Sequence, residues 1–166
     1  MALVSTSQVV TDQSAVPAVK VNSLEKGGVV RTAAGYLAAA NFDGATAGQW
    51  FTFVRIPVRA RVVGIFRTGG ADTGALKCGL YRPDGIAIDD DVFSTIDPLT
   101  TLGTRSKIDV TQTALARTQD LATAYATAIG TAGATGDAEF DIAMAVVTVT
   151  GTPSDITVEV DYVLPE

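Results

Sequence analysis

Short runs of β-branched residues, separated by glycine-rich breaks, constrain this 166-residue chain more than any other feature. The chain contains 20 Val, 22 Thr and 9 Ile, and from Gly27 onward these residues recur in short segments. Branched side chains pack well on a pleated surface, and glycine clusters mark turns. The sequence therefore predicts an all-β fold, an antiparallel β-sandwich or barrel of about seven to nine strands.

Eight segments carry this pattern. They are Gly28 to Ala34, Gln49 to Ile56, Arg59 to Arg67, Ala75 to Tyr81, Ile86 to Ile88, Lys107 to Val110, Ala138 to Thr150 and Asp155 to Leu164. In the last segment Ile156, Val158 and Val160 alternate with polar residues, so one face belongs to the core and the other to water. Only a short turn around Gly151 separates the last two segments, and we expect them to pair as a hairpin.

The segment Leu121 to Ile129 fits two patterns. Its apolar residues alternate as in a strand, yet every fourth residue also lies on one face of a helix. Alanine favours a helix, Asp120 is a suitable N-cap, and Gly130 is a suitable C-terminal stop. We predict one short helix here.

Residues 1–26 show no sustained period and are predicted to form an N-terminal arm before a single sandwich domain at 27–166. The arm is rich in valine, at Val9, Val10, Val16, Val19 and Val21. It is either a frayed terminus or an extended segment that lies across the domain or a neighbouring subunit. It has no basic region and no long apolar run, so we expect neither a signal peptide nor a membrane span.

Charge and missing residue types exclude several classes of function. Lys and Arg total 12 against 18 Asp and Glu, a net charge of -6, which disfavours a nucleic-acid binder that neutralises phosphates. Histidine is absent, and it is the commonest general base and metal ligand. The one cysteine, Cys78, alternates with two leucines and is expected to be buried. We expect no enzymatic activity and no cofactor.

Two charged clusters are candidates for interaction. The triplet Asp89-Asp90-Asp91 offers oxygen ligands for calcium or a carboxylate pair for glycoside hydrolysis. Its spacing is not that of an EF-hand, and a solvated acidic loop is the preferred interpretation. Half of the chain's arginines fall within 13 residues, at Arg55, Arg59, Arg61 and Arg67. They predict a surface patch, either a solvated strand face or a contact with carboxylates of a partner protein. Pro57 places this strand at a sheet edge or at a strand start.

Aromatic residues cluster at Trp50-Phe51-Thr52-Phe53. Trp50 shares an alternation face with Val54 and Ile56, which predicts a core residue, although exposed rings could stack on sugars. The segment Tyr81 to Gly85 contains Pro-Asp-Gly between two apolar runs and predicts a hairpin turn.

The segment Trp50 to Asp91 resembles a family of small structural proteins of tailed bacteriophages, the auxiliary head or decoration proteins. The shared pattern is an apolar strand, "FVRIPVRARVVGIF", then the loop "RTGGADTGA", the strand "LKCGLYRPDG" and the acidic stretch "IAIDDDVFSTI". The order of the Asp120 to Ile129 and Val158 to Val163 segments is also similar to that family.

The resemblance implies a jelly-roll-like sandwich that forms a homotrimer and binds the major capsid protein on the outside of the virion. Such a decoration or cement subunit would stabilise the assembled shell by bridging capsomers. The arm valines with Arg55, Arg59 and Arg61 are then the candidate contacts. One alternative is a glycan- or receptor-binding sandwich of a phage tail or fibre, which would use Trp50 or Tyr81 with the Asp89 to Asp91 segment. The other alternative function is that of a hydrolase that uses only aspartates.

Overall fold

The structure is a computed structural model, and it describes residues 29–71, 74–99, 104–108, 120–124 and 139–164. The strands in these ranges are β1 (Val30–Leu37), β2 (Trp50–Pro57), β3 (Arg61–Ala71), β4 (Gly74–Tyr81), β5 (Ala87–Pro98), β6 (Ser106–Lys107), β7 (Glu139–Val149) and β8 (Pro153–Val163). Two short helices are α1 (Ala39–Phe42) and α2 (Leu121–Ala124). Neither has the length or apolar character needed to span a membrane. The predicted arm, residues 1–26, lies outside the described ranges.

The strands form two four-stranded antiparallel sheets packed as a sandwich. Their orders are β1-β8-β3-β6 and β2-β7-β4-β5. The paired strands are nested along the chain: β1/β8, β2/β7, β3/β6 and β4/β5. A long hairpin that is rolled up has this pattern, with successive pairs in different sheets. This is the jelly-roll arrangement. The predicted antiparallel sandwich is therefore confirmed.

The predicted hairpin between the last two strands is wrong. β7 lies in one sheet and β8 in the other, so the connection through Gly151 crosses between the sheets. Alternation of apolar residues determines which face of a strand is buried, but not which strand lies beside it. Two strands with inward apolar faces can lie side by side in one sheet or belong to opposite sheets, and here they belong to opposite sheets.

The core lies between the two sheets, and both of its sides follow the alternation read from the sequence. Phe140 and Ile142 of β7 and Ile156 and Val158 of β8 are each 1% exposed or less. Cys78 of β4 is fully buried with them, as predicted. The turn at Pro83 to Gly85 joins β4 to β5, and the Gly85 N–H donates to the Arg82 carbonyl at 2.9 Å. The predicted turn is therefore confirmed.

The two sheets approach each other closely at the edge strands β1 and β2. A Cβ atom on Gly35 of β1 would lie 2.0 Å from the carbonyl oxygen of Phe53. Phe53 is the extra residue of a β-bulge in β2, because the register with β7 shifts between Thr52 and Val54. Glycine is required at position 35 because the bulge brings one backbone directly against the other.

Helix α2 is held on the turn between β2 and β3. The Leu121 N–H donates to the Ala60 carbonyl at 2.9 Å, and the Ala122 N–H donates to the Val58 carbonyl at 3.2 Å. The Thr123 N–H donates to the Asp120 carboxylate at 2.9 Å, so Asp120 is the predicted N-cap. The rest of the predicted helix, 125–129, lies outside the described residues.

Candidate interaction surfaces

The four clustered arginines do not form one surface patch, because Arg67 lies inside the sandwich. Its exposed fraction is 2%, and its guanidinium donates to the Asp97 carboxylate of β5 and to the Gly69 and Pro98 carbonyls. The register of β3 with β8 shifts between Val62 and Gly64, and this bulge moves Arg67 to the inner face. Strict alternation from Arg61 could not locate that shift.

Arg55 faces outward from β2 and holds a carboxylate of the neighbouring strand. Its Nε and Nη2 donate to the two oxygens of Asp141 at 2.6 and 2.9 Å, a bidentate pair. The Asp141 hydrogen bonds raise the pKa of Arg55. The Arg55 side chain remains 48% exposed, whereas that of Asp141 is 5% exposed. A lone aspartate within an apolar strand was the available signal for a buried acceptor, and our sequence interpretation missed it.

Arg59 is the most exposed of the four arginines and lies in the β2–β3 turn. Its side chain is 71% exposed, and Nη1 lies 3.2 Å from a carboxylate oxygen of Asp120. Burial alone would raise the pKa of Asp120, but hydrogen bonds from Thr123 and Arg59 outweigh it and lower that pKa. Arg61 begins β3, opposite Val163 of β8. Thus Arg55, Arg59 and Arg61 lie near one end of the sandwich, around the turn that binds α2.

Pro57 is the last residue of β2, and β2 is an edge strand of its sheet. Of the two positions that the proline predicted, a sheet edge or a strand start, the structure has the sheet edge. A proline cannot donate a ladder hydrogen bond, so it is tolerated here.

Trp50 is not a core residue, and this part of our sequence interpretation is wrong. Its exposed fraction is 41%, and its ring stacks on Tyr81 with centroids 5.2 Å apart and planes 25° apart. The bulge at Phe53 reverses the alternation, so Trp50 no longer shares the inner face of Val54. A Cβ on Gly85 would lie 2.9 Å from the Trp50 ring, so the β4–β5 turn packs against the ring. The result is an exposed indole in a fixed orientation.

Tyr81 forms the buried half of this aromatic stack. It is 3% exposed, and burial, together with the nearby charges of Asp90 and Cys78, raises the pKa of its hydroxyl to about 12. It lies opposite Asp141 in the β4–β7 register, on the same face as the Arg55–Asp141 pair.

The acidic triplet lies within strand β5, not in a solvated loop. All three aspartates are half-buried where the register of β5 with β4 shifts, and a Cβ on Gly79 would lie 2.5 Å from the Asp89 carbonyl oxygen. One oxygen from each carboxylate lies within 4.8 Å of the others. A hydrogen bond with Asp89 and partial burial raise the pKa of Asp91, while Lys77 Nζ lies 3.2 Å from Asp90. Lys77 therefore neutralises part of the charge.

Comparison with known proteins gives no match to any family model or curated protein sequence. Among solved structures, a chain of the capsid of Ralstonia phage GP4 is 14% identical, with a TM-score of 0.55 over 82% of this chain and 85% of that chain. A chain of the cyanophage Pam1 capsid asymmetric unit is 18% identical, with a TM-score of 0.40 over 83% and 86% of the two chains. The GP4 chain and this chain share a fold and are similar in length.

Proposed function

We propose that the chain is a virion structural protein, a decoration or cement subunit that binds the outside of an assembled phage capsid shell. The observation that carries this proposal is the fold shared with a chain of the GP4 capsid over more than four fifths of both chains.

The charges on the sandwich are consistent with a structural role. Among the described residues, Arg55 pairs with Asp141, Arg67 with Asp97 and Lys77 with Asp90, and each pair joins two strands. The Arg59–Asp120 pair joins the β2–β3 turn to α2. These contacts stabilise a rigid domain, which is what a shell-binding protein must present to its partner.

The mechanism of stabilisation is mass action. A subunit that binds the assembled shell and not its collapsed or ruptured forms lowers the free energy of the assembled state. Contacts of ordinary size, about 1,200 to 2,000 Å² each, suffice when many copies bridge neighbouring capsomers. The partners are then the major capsid protein and other copies of this chain as a homotrimer, with Arg55, Arg59 and Arg61 among the candidate contacts.

Co-sedimentation with capsid shells tests the proposal. The purified full-length chain is mixed with expanded and unexpanded shells of its own phage, and its mass in solution is measured by light scattering. We expect saturable binding to expanded shells alone, and the plateau gives the copy number. Absence of binding to either shell would refute the proposal.

A second candidate function is glycan or receptor binding by a tail or fibre component. It is favoured by the exposed Trp50 ring, which is held by Tyr81 and the Gly85 turn in a fixed orientation, since rigid aromatic faces bind ligands at low entropic cost. Trp50 is the single tryptophan, so its fluorescence reports directly on occupancy. In a glycan screen, this function requires a fluorescence change and loss of binding in Trp50→Ala. Tyr36→Ala is the control, because Tyr36 is also an exposed aromatic residue.

A further inference from the structure

The four edge strands of the sandwich differ in how they resist the addition of another strand. β6 has two described residues, β2 is bulged and ends in Pro57, and β5 has three register shifts against β4 and carries the Asp89 to Asp91 triplet. Short length, bulges, proline and charge are the devices by which proteins block edge-to-edge pairing. Three of the four edges are therefore protected.

β1 has none of these devices. Its eight residues pair with β8 without a register shift, and Arg31 is its single charged residue. Exposed apolar side chains lie along this segment, with Val29 at 72%, Val30 at 54% and Tyr36 at 64%. Gly35 packs against β2 through the inner face of β1, and none of the described strands pairs with the other lateral edge of β1. A long, regular, exposed edge is a template for another strand.

The chain itself contains a segment suited to this edge. The 28 residues before Val29 lead into β1 and are three and a half times as long as that strand. Fully extended, they would reach roughly 90 Å. Valine, which is favoured in strands, recurs in it at Val9, Val10, Val16, Val19 and Val21. The arm valines extend over 13 residues, from Val9 to Val21, which is longer than β1.

We propose that the N-terminal arm of one copy adds as a fifth strand to the β1 edge of a neighbouring copy. Backbone hydrogen bonds would provide the affinity, and the arm valines would pack beside Val30 and Tyr36. The contact is heterologous, since an arm on one copy meets an edge on the next, and such contacts form a closed ring when the rotation between copies closes. A homotrimer is a ring of this kind. The proposal goes beyond shell binding, because it names the contact between copies.

The first test uses the full chain with proline in the arm. Val19→Pro/Val21→Pro removes two backbone donors from the added strand, and Ser5→Pro/Ser7→Pro is the matched control. By light scattering, we expect wild type and control to be oligomers and the first variant to have the monomer mass of 17.1 kDa. By hydrogen exchange, the β1 amides that face away from β8 should exchange at least about tenfold faster in that variant.

The second test determines whether the arm comes from a neighbour. Chains carrying Val19→Cys and differently tagged chains carrying Ala34→Cys are co-expressed and oxidised. Ala34 is exposed on β1, whereas the native Cys78 is fully buried and serves as the background control. We expect a disulfide between the two differently tagged chains.

Two outcomes would overturn the proposal. One is a full-length monomer whose outward β1 amides exchange freely. The other is a disulfide that forms only within one chain when both substitutions are combined. That result would show that the arm folds back on its own β1. The result is separable from the proposed function. A monomer that binds shells would refute the arm exchange alone. An oligomer that exchanges its arms but does not bind shells would refute the decoration role alone.

Discussion

The Arg67 guanidinium and the Asp97 carboxylate meet inside the sandwich and join β3 of one sheet to β5 of the other. Both residues are buried, and Arg67 Nη2 lies 3.3 Å from Asp97 Oδ1 and 3.2 Å from the Pro98 carbonyl oxygen. An ion pair within a core fixes how the two sheets align, because neither charge has access to water.

Removing one partner of this pair should destabilise the fold strongly. We expect Asp97→Ala to lower the free energy of unfolding by about 3–5 kcal/mol, because it leaves the Arg67 charge buried without its carboxylate. The double variant Arg67→Met/Asp97→Leu should recover most of that loss. Denaturant unfolding measures both. Arg105→Ala, which breaks the exposed pair with Glu159, is the control, with an expected cost of about 1 kcal/mol.

Gly35→Ala should disturb the contact between β1 and β2. The added methyl group would meet the Phe53 backbone, which cannot move without distorting the bulge, so we expect a loss of about 1–3 kcal/mol or more. Gly64→Ala is the matched control, because its methyl group would meet the Phe66 side chain and not a backbone. Equal thermal stability of the two variants would contradict the assignment.

Tyr81 should ionise later than an ordinary tyrosine in an alkaline titration. Its pKa of about 12 lies above the ordinary value, so the protonated hydroxyl stabilises the fold fully below about pH 10, and this contribution is lost as the pH rises toward 12. Absorbance at 295 nm should show a late transition near pH 12 that is absent in Tyr81→Phe. If the transition persists in that variant, another tyrosine is responsible.

Asp120 should contribute to loss of stability in acid. Its pKa is lowered in the folded chain, so its stabilisation is present above about pH 4, the unfolded value, and is lost as the pH falls through the folded value. Asp120→Asn keeps the cap acceptor and should flatten the acid dependence of unfolding. Asp120→Ala also removes the cap and should cost about 0.5–2 kcal/mol at neutral pH. If Asp120→Asn loses stability in acid as steeply as the wild type does, Asp120 does not have this role.

Charge reversal at Arg59 should weaken shell binding if the proposed function is correct. Arg59 is exposed and lies beside Arg55 and Arg61, so Arg59→Glu should reduce shell affinity more at low salt than at high salt. Arg105→Glu makes the same charge change elsewhere on the sandwich. Loss that does not depend on salt would indicate altered folding instead of a lost contact.

Much of the fold was readable from the sequence because strand alternation reports burial directly. Four local features are present in the structure as predicted. They are the alternation in β8, the Pro83 to Gly85 turn, the buried Cys78 and the Asp120 cap. Trp50 and Arg67 were misplaced because one-residue bulges at Phe53 and Val63 reverse the alternation, and no local signal locates a bulge. The candidate arm contacts, Val9 to Val21, remain predictions.

The sequence by itself determined the class of fold and the inward face of each strand, because these depend on side chains within a few residues of one another. Tertiary structure alone decided which strands are neighbours, that β7 and β8 lie in opposite sheets, and that Arg67 finds Asp97 across the core. It also decided that β1 is the one unprotected edge among the described strands. These relationships join residues far apart in the chain, and they form only when both sheets pack around a common core.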